Sequence, residues 1–162
     1  MNYFELYNIP VSLQPDQQIV KQRFYELSRK YHPDFYSNAD DAEQAEALET
    51  SSAVNKAWKI FSNADETLKY VLQLKGLLEE EEKYQLPAGF LMEMMELNEA
   101  AMEETPATIR QQVSTISEDI YAPVKPIIEN YKEGISTKEE LLQVKEYYFK
   151  KKYLNRILEG LT

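Results

Sequence analysis

A chain of 162 residues has room for one ordinary domain or two very small ones, which excludes a large multidomain enzyme. With 43% hydrophobic, 12% aromatic and 28% charged residues, it is able to bury a core and is neither disordered nor fibrous in composition. The 18 Lys and Arg against 28 Asp and Glu leave a net charge of -10, which repels a phosphate backbone and argues against a nucleic-acid partner.

Apolar residues recur at intervals of three and four and strand-like alternation is absent, so an all-helical fold is expected. A short first turn covers 3–8, and a loop with Pro10 and Pro15 follows. Asp16 is placed to cap a helix over 17–31, whose core stripe is Val20, Phe24, Leu27 and Tyr31. Lys21, Arg23, Arg29 and Lys30 flank or oppose that stripe and give the helix a basic outer face. Pro33 pushes His32 out of the helical region and ends the helix, leaving a polar loop through Asn38. A second long helix over 40–61 presents Leu48, Ser51, Asn55, Trp58 and Phe61 to the first, making an antiparallel hairpin.

A further helix over 65–74 ends at Gly76, after which the run Glu79, Glu80, Glu81, Glu82 and then Pro87 interrupt the pattern. The expected organisation is an N-terminal domain over 1–76, an acidic linker over 77–87 and a three-helix bundle over 88–162. The bundle starts with a helix over 88–104. Thr105 and Pro106 suit the N-cap and first position of a helix reaching 132, kinked at Pro123 and Pro126. Its inward series is Ile109, Val113, Ile116, Ile120, Val124, Ile127 and Tyr131. Ser136 with Glu139 reads as a capping box for a last helix over 137–160.

The absence of cysteine removes disulfides, thiol catalysis and Cys-based metal sites, and the four glycines form no phosphate-wrapping loop. His32, the single histidine, has neither a Ser nor a Cys nucleophile positioned beside it, and no loop has the spacing of a calcium site. No enzyme activity, cofactor or metal is therefore expected. No run approaches the about 18 apolar residues of a membrane span, and the first residues lack the basic and apolar stretches of a signal peptide, so a cytoplasmic protein without membrane contact is expected.

The helix over 88–104 carries a second signal. Phe90, Met94, Leu97 and Ala101 share one side and supply a core face. Leu91, Met92, Met95 and Met102 share the other side with Glu96, Glu99 and Glu103. Leaving such apolar groups in water forgoes about 1.5 to 3 kcal/mol each, so this face reads as a partner site with an adaptable methionine surface and a charged rim; the alternative is that it packs on the linker or on the first domain. In the last helix Leu141, Val144 and Tyr148 mark the core side, and Phe149 is the aromatic expected to be exposed, with core packing as the alternative.

The basic helix, the turn His32-Pro33-Asp34, Asn55 and Trp58 late in the second helix, and a leading segment with Tyr3, Leu6 and Ile9 together resemble a J-domain. Over the whole length, several segments resemble the HscB family of iron-sulfur cluster co-chaperones. They are Tyr3-Phe4, Arg23-Phe24, Tyr31-His32-Pro33-Asp34, Val54-Asn55-Lys56-Ala57-Trp58, Tyr70 with Leu72 and Leu74, Phe90-Leu91-Met92-Glu93, and Glu96-Leu97. The resemblance implies an L-shaped pair of domains and a monomeric co-chaperone. That protein would stimulate the ATPase of a DnaK/HscA-type chaperone and deliver to it an IscU-type scaffold protein. Chaperone binding would fall to His32, Pro33, Asp34, Lys21, Arg23, Arg29 and Lys30, and scaffold binding to Leu91, Met92, Met95, Glu96, Glu99, Glu103 and Phe149. Phe35 stands where a basic residue is common in relatives, and Asn63-Ala64 with Thr67-Leu68 replaces their usual proline and Arg-Ala. The cysteine-bearing N-terminal extension of eukaryotic relatives is absent, which implies the bacterial type, handling the scaffold without holding the cluster itself. The alternative is a J-domain co-chaperone with a different client on its bundle.

Overall fold

The computed structural model describes residues 1–161, and every regular element among them is helical. The order is α1 (Tyr3–Leu6), α2 (Gln17–Lys30), a short 3-10 helix (Pro33–Tyr36), α3 (Asp41–Phe61), α4 (Ala64–Leu74), α5 (Ala88–Glu103), α6 (Pro106–Tyr121), α7 (Lys125–Glu129) and α8 (Lys138–Glu159). The chain divides into two compact units, Met1–Val71 and Leu72 onward. Among the described residues, no helix is long and apolar enough to cross a membrane.

In the first unit α2 and α3 form the hairpin. One carboxylate oxygen of Asp16 accepts from the backbone N–H groups of Gln18 and Ile19 at 2.9 and 3.4 Å, satisfying orphan donors of the first turn. Val20 is fully buried and Phe24 stacks on Trp58 with ring centroids 4.5 Å apart. The inner face of α3 agrees with the expected one at Trp58 and Phe61 and differs at the other positions. It is built from Ala47, Val54, Ala57 and Phe61, whereas Leu48 is 62% exposed and Asn55 is exposed. The seam repeats every seven residues from Ala47 through Val54 to Phe61. Reading for the bulkiest residues shifts that register by one, because alanine has little apolar surface and gives a weak signal.

The short α1 is held by aromatic packing. Phe4 and Tyr7 are buried against Phe61, with centroids 4.9 and 5.2 Å away. The Tyr7 hydroxyl donates to the Val54 carbonyl at 2.7 Å, and burial pushes its pKa well above the ordinary phenol value. The Tyr3 amide donates to the Tyr70 hydroxyl at 2.8 Å while the two rings stack, which ties α1 to the part of α4 within this unit.

In the second unit α6 packs on both α5 and α8, and α7 packs on α8. Phe90, Met94 and Leu97 of α5 meet Ile109 and Val113 of α6 and Leu154 of α8 in one core. Thr105 caps α6 through Thr108, with Pro106 at the first position, as the sequence suggests. The middle helix does not merely kink. It stops at Tyr121 and resumes at Lys125, because Pro123 and Pro126 both lack a backbone donor and both clash with the preceding turn. Val124 within the break and Ile128 beyond it are buried, while Ile127 is only partly so. The capping box of α8 lies one residue later than expected. The Thr137 hydroxyl accepts from the Glu140 amide at 3.1 Å and Glu140 accepts from the Thr137 amide at 3.0 Å. Ser136 instead accepts from the Lys132 amide.

The segment leading into α5 is pinned by charge. Glu82 pairs with Lys145 of α8 at 2.7 Å, and Glu133 accepts from both Lys75 and Tyr131. The hydrogen bond from Lys145 holds the Glu82 carboxyl below its ordinary range, and those from Lys75 and Tyr131 do the same for Glu133. A carboxyl depressed in the folded state contributes stability above its unfolded pKa, and that contribution is lost as pH falls through the folded value. The melting temperature is therefore expected to fall as pH drops below about 5. Glu82→Gln combined with Glu133→Gln should lower it at neutral pH and flatten its acid dependence, as thermal melts followed by circular dichroism from pH 7 to pH 3 would show.

Candidate functional sites

The His32-Pro33-Asp34 turn is built by its own residues. His32 leaves the helix with φ -63° and ψ 130° and becomes the N-cap of the 3-10 helix that Pro33 opens. Its Nδ1 accepts from the Asp34 amide at 3.2 Å, and the Phe35 amide donates to the His32 carbonyl at 3.0 Å. The Tyr36 hydroxyl donates to the Lys30 carbonyl at 3.2 Å, tying the turn to the last turn of α2. From the other side, the Gln44 amide donates to the carbonyls of Ser37 and Ala39 at 3.3 and 3.1 Å. The turn is thus fixed at both ends while its working groups face water: the Asp34 side chain is 88% exposed and that of His32 is 54% exposed. The two lie 3.6 Å apart. Tyr36 and Gln44 were not legible as parts of this site, since both act through backbone carbonyls and leave no charge or periodicity signal.

Of the four cations on α2, Lys21, Arg29 and Lys30 are exposed and make no ion pair among the described residues; Lys30 lies over the Tyr31 ring. Arg23 is partly buried, pairs with Glu26 at 3.6 Å and carries a buried Nε without a hydrogen-bond partner among the described residues.

On α5 the division between faces is sharp. Phe90, Met94 and Leu97 are buried, whereas Leu91, Met92, Met95 and Met102 are exposed together with Glu96, Glu99 and Glu103. Phe149 departs from expectation. It is buried on α8, its ring stacked 4.6 Å from that of Tyr84 and parallel to within 3°. The last-helix pattern places Phe149 off the core face, but no helix-periodicity argument reveals that a tyrosine from the preceding irregular segment covers it. Lys145 lies over the Tyr84 ring and Lys152 over the Phe149 ring, so the aromatic pair is bracketed by cations. Phe149, Tyr84 and Leu91 line a groove of about 470 Å³ edged by Lys83, Lys152 and Arg156. Phe149 therefore sits in the wall of a groove beside Leu91 rather than on the open surface.

A helix hairpin joined by a fixed His-Pro-Asp turn, followed by a separate helical unit, defines a J-domain protein with an added C-terminal module. Comparison with known families agrees: the DnaJ domain matches residues 2–70, and the HSCB C-terminal oligomerisation domain matches residues 86–162. The fold is similar to that of the chaperone HscB from Vibrio cholerae, at 22% identity and a TM-score of 0.76, covering 98% of this chain and 94% of that one. It is also similar to the human co-chaperone protein HscB, at 26% identity and a TM-score of 0.81, covering 98% of this chain and 79% of that one. The chain belongs to the HscB family. Its domains are those of a co-chaperone of a DnaK-type chaperone in iron-sulfur cluster assembly.

Proposed function

We propose that this protein stimulates the ATPase of a DnaK/HscA-type chaperone through the His32-Pro33-Asp34 turn and the cations of α2, and that it presents an IscU-type scaffold protein held on α5. The observation that carries the first half is the Asp34 carboxylate, 88% exposed on a turn whose ends are both hydrogen-bonded. A preorganised, solvent-facing carboxylate is suited to a charge-assisted bond with a partner arginine, because little conformational entropy is lost on docking. Lys21, Arg23, Arg29 and Lys30 would meet an acidic chaperone surface. Leu91, Met92 and Met95, rimmed by Glu96, Glu99 and Glu103, form the scaffold site, with Phe149 contributing from the groove wall. The protein acts in the cytoplasm as a single chain, an arrangement its net charge of -10 favours through mutual repulsion of copies.

Asp34→Asn is expected to abolish stimulation in single-turnover ATP hydrolysis by a DnaK-type chaperone. Scaffold binding and melting temperature should stay unchanged, because the side chain touches no core. Undiminished stimulation would overturn the assignment. Full stimulation by the parent protein with no measurable scaffold binding would instead favour the same J-domain role with a different client.

A further inference from the structure

Phe35 is the most exposed aromatic side chain among the described residues, at 74%, and it directly follows Asp34. A phenylalanine has no polar atom to reward exposure, and most aromatic side chains of this chain are packed. It is also not loosely held. Its amide donates to the His32 carbonyl at 3.0 Å, its ring stands edge-on to the His32 ring with centroids 6.1 Å apart, and the next residue is tied by Tyr36 to the Lys30 carbonyl. That bond ends on Lys30, the last residue of α2, and neither Lys30 nor Arg29 before it has an ion-pair partner among the described residues.

We infer that Phe35 is an apolar anchor that inserts into the chaperone beside the Asp34 contact and sets affinity for the chaperone, while Asp34 sets the stimulated rate. This rests on the reading that the turn faces the chaperone. Interface energy concentrates in a few aromatic anchors surrounded by polar groups, and Phe35 has that form: an exposed ring, edge-on to His32, directly after the exposed Asp34 carboxylate on a turn tied to the end of the basic helix. The occupant it fits is an apolar depression bordered by acid on a DnaK-type chaperone. Apolar burial and charge steering respond differently to salt, so the two contributions separate experimentally.

The test is single-turnover ATP hydrolysis by a DnaK-type chaperone, titrated with the parent protein, Phe35→Ala, Phe35→Leu, Arg29→Glu and Asp34→Asn at several ionic strengths. Phe35→Ala is expected to raise the half-maximal concentration about ten-fold, leaving the maximal rate and its salt slope unchanged, and Phe35→Leu to recover most of the affinity. Arg29→Glu should flatten the salt slope. Melting temperatures should not move, since Phe35 is exposed and the His32 ring beside it is exposed too, so neither belongs to a core. If Phe35→Ala titrates like the parent, or loses maximal rate as Asp34→Asn does, the anchor role is overturned while the turn keeps its function. If Asp34→Asn stimulates fully, the underlying reading fails and the anchor role with it.

Discussion

Phe61→Ala is expected to destabilise the first unit by about 3 to 5 kcal/mol. Its ring is 1% exposed and is the surface against which both Phe4 and Tyr7 pack, so truncation leaves a cavity that α1 is too short to collapse into. The position has a second duty. The Gln17 side chain donates to the Phe61 carbonyl at 2.8 Å, so the end of α3 also anchors the start of α2. A loss of this size is comparable with the whole stability of a small domain, about 5 to 15 kcal/mol. Urea unfolding followed by circular dichroism should show an early transition removing part of the helicity, with stimulation of the chaperone lost in the same range. A change below about 1 kcal/mol would mean that the aromatic cluster contributes far less than its burial implies.

That cluster shows what the sequence carries and what it conceals. The starts of α2 and α6 are legible, because Asp16 and the pair Thr105-Pro106 act on backbone groups two or three residues away. The His-Pro-Asp turn is legible for the same reason: Pro33 restricts its neighbour wherever the chain goes. The seam of α3 is not, since its register depends on Ala47 and Ala57, whose small side chains matter through packing rather than hydrophobic contrast. The capping box of α8 shows a different ambiguity: Ser136-Glu139 and Thr137-Glu140 satisfy the same pattern, and the structure uses the second, the Ser136 hydroxyl being taken by the Lys132 amide within the loop. Phe149 lies furthest from local reasoning, because its partner Tyr84 comes from an irregular segment with no period to read. Local chemistry thus located the elements and the exposed turn, while long-range packing determined which aromatic rings are open to a partner.

The α5 face allows the remaining large effect to be tested within a single helical turn. Met94 is fully buried, whereas Met92 and Met95 are 63% and 62% exposed, so three chemically identical side chains differ only in what surrounds them. Met94→Ala is expected to destabilise by about 2 to 5 kcal/mol through loss of apolar contact and the cavity it leaves. Leu91→Ala, Met92→Ala and Met95→Ala together should leave the melting temperature nearly unchanged, yet weaken binding of an IscU-type scaffold by about 2 to 4 kcal/mol, because these residues form the apolar centre of the proposed site. Phe149→Ala belongs with neither set. Its ring is stacked on Tyr84 and flanked by Lys152, so its removal should lower stability and loosen the groove beside Leu91 at the same time. Calorimetric titration of the scaffold into each variant, set beside thermal melts, separates the possibilities. If the surface triple variant melts early, this face is packing rather than a docking surface. If it melts like the parent and binds scaffold equally well, the client is held elsewhere, and the J-domain function of the first unit stands independently of it.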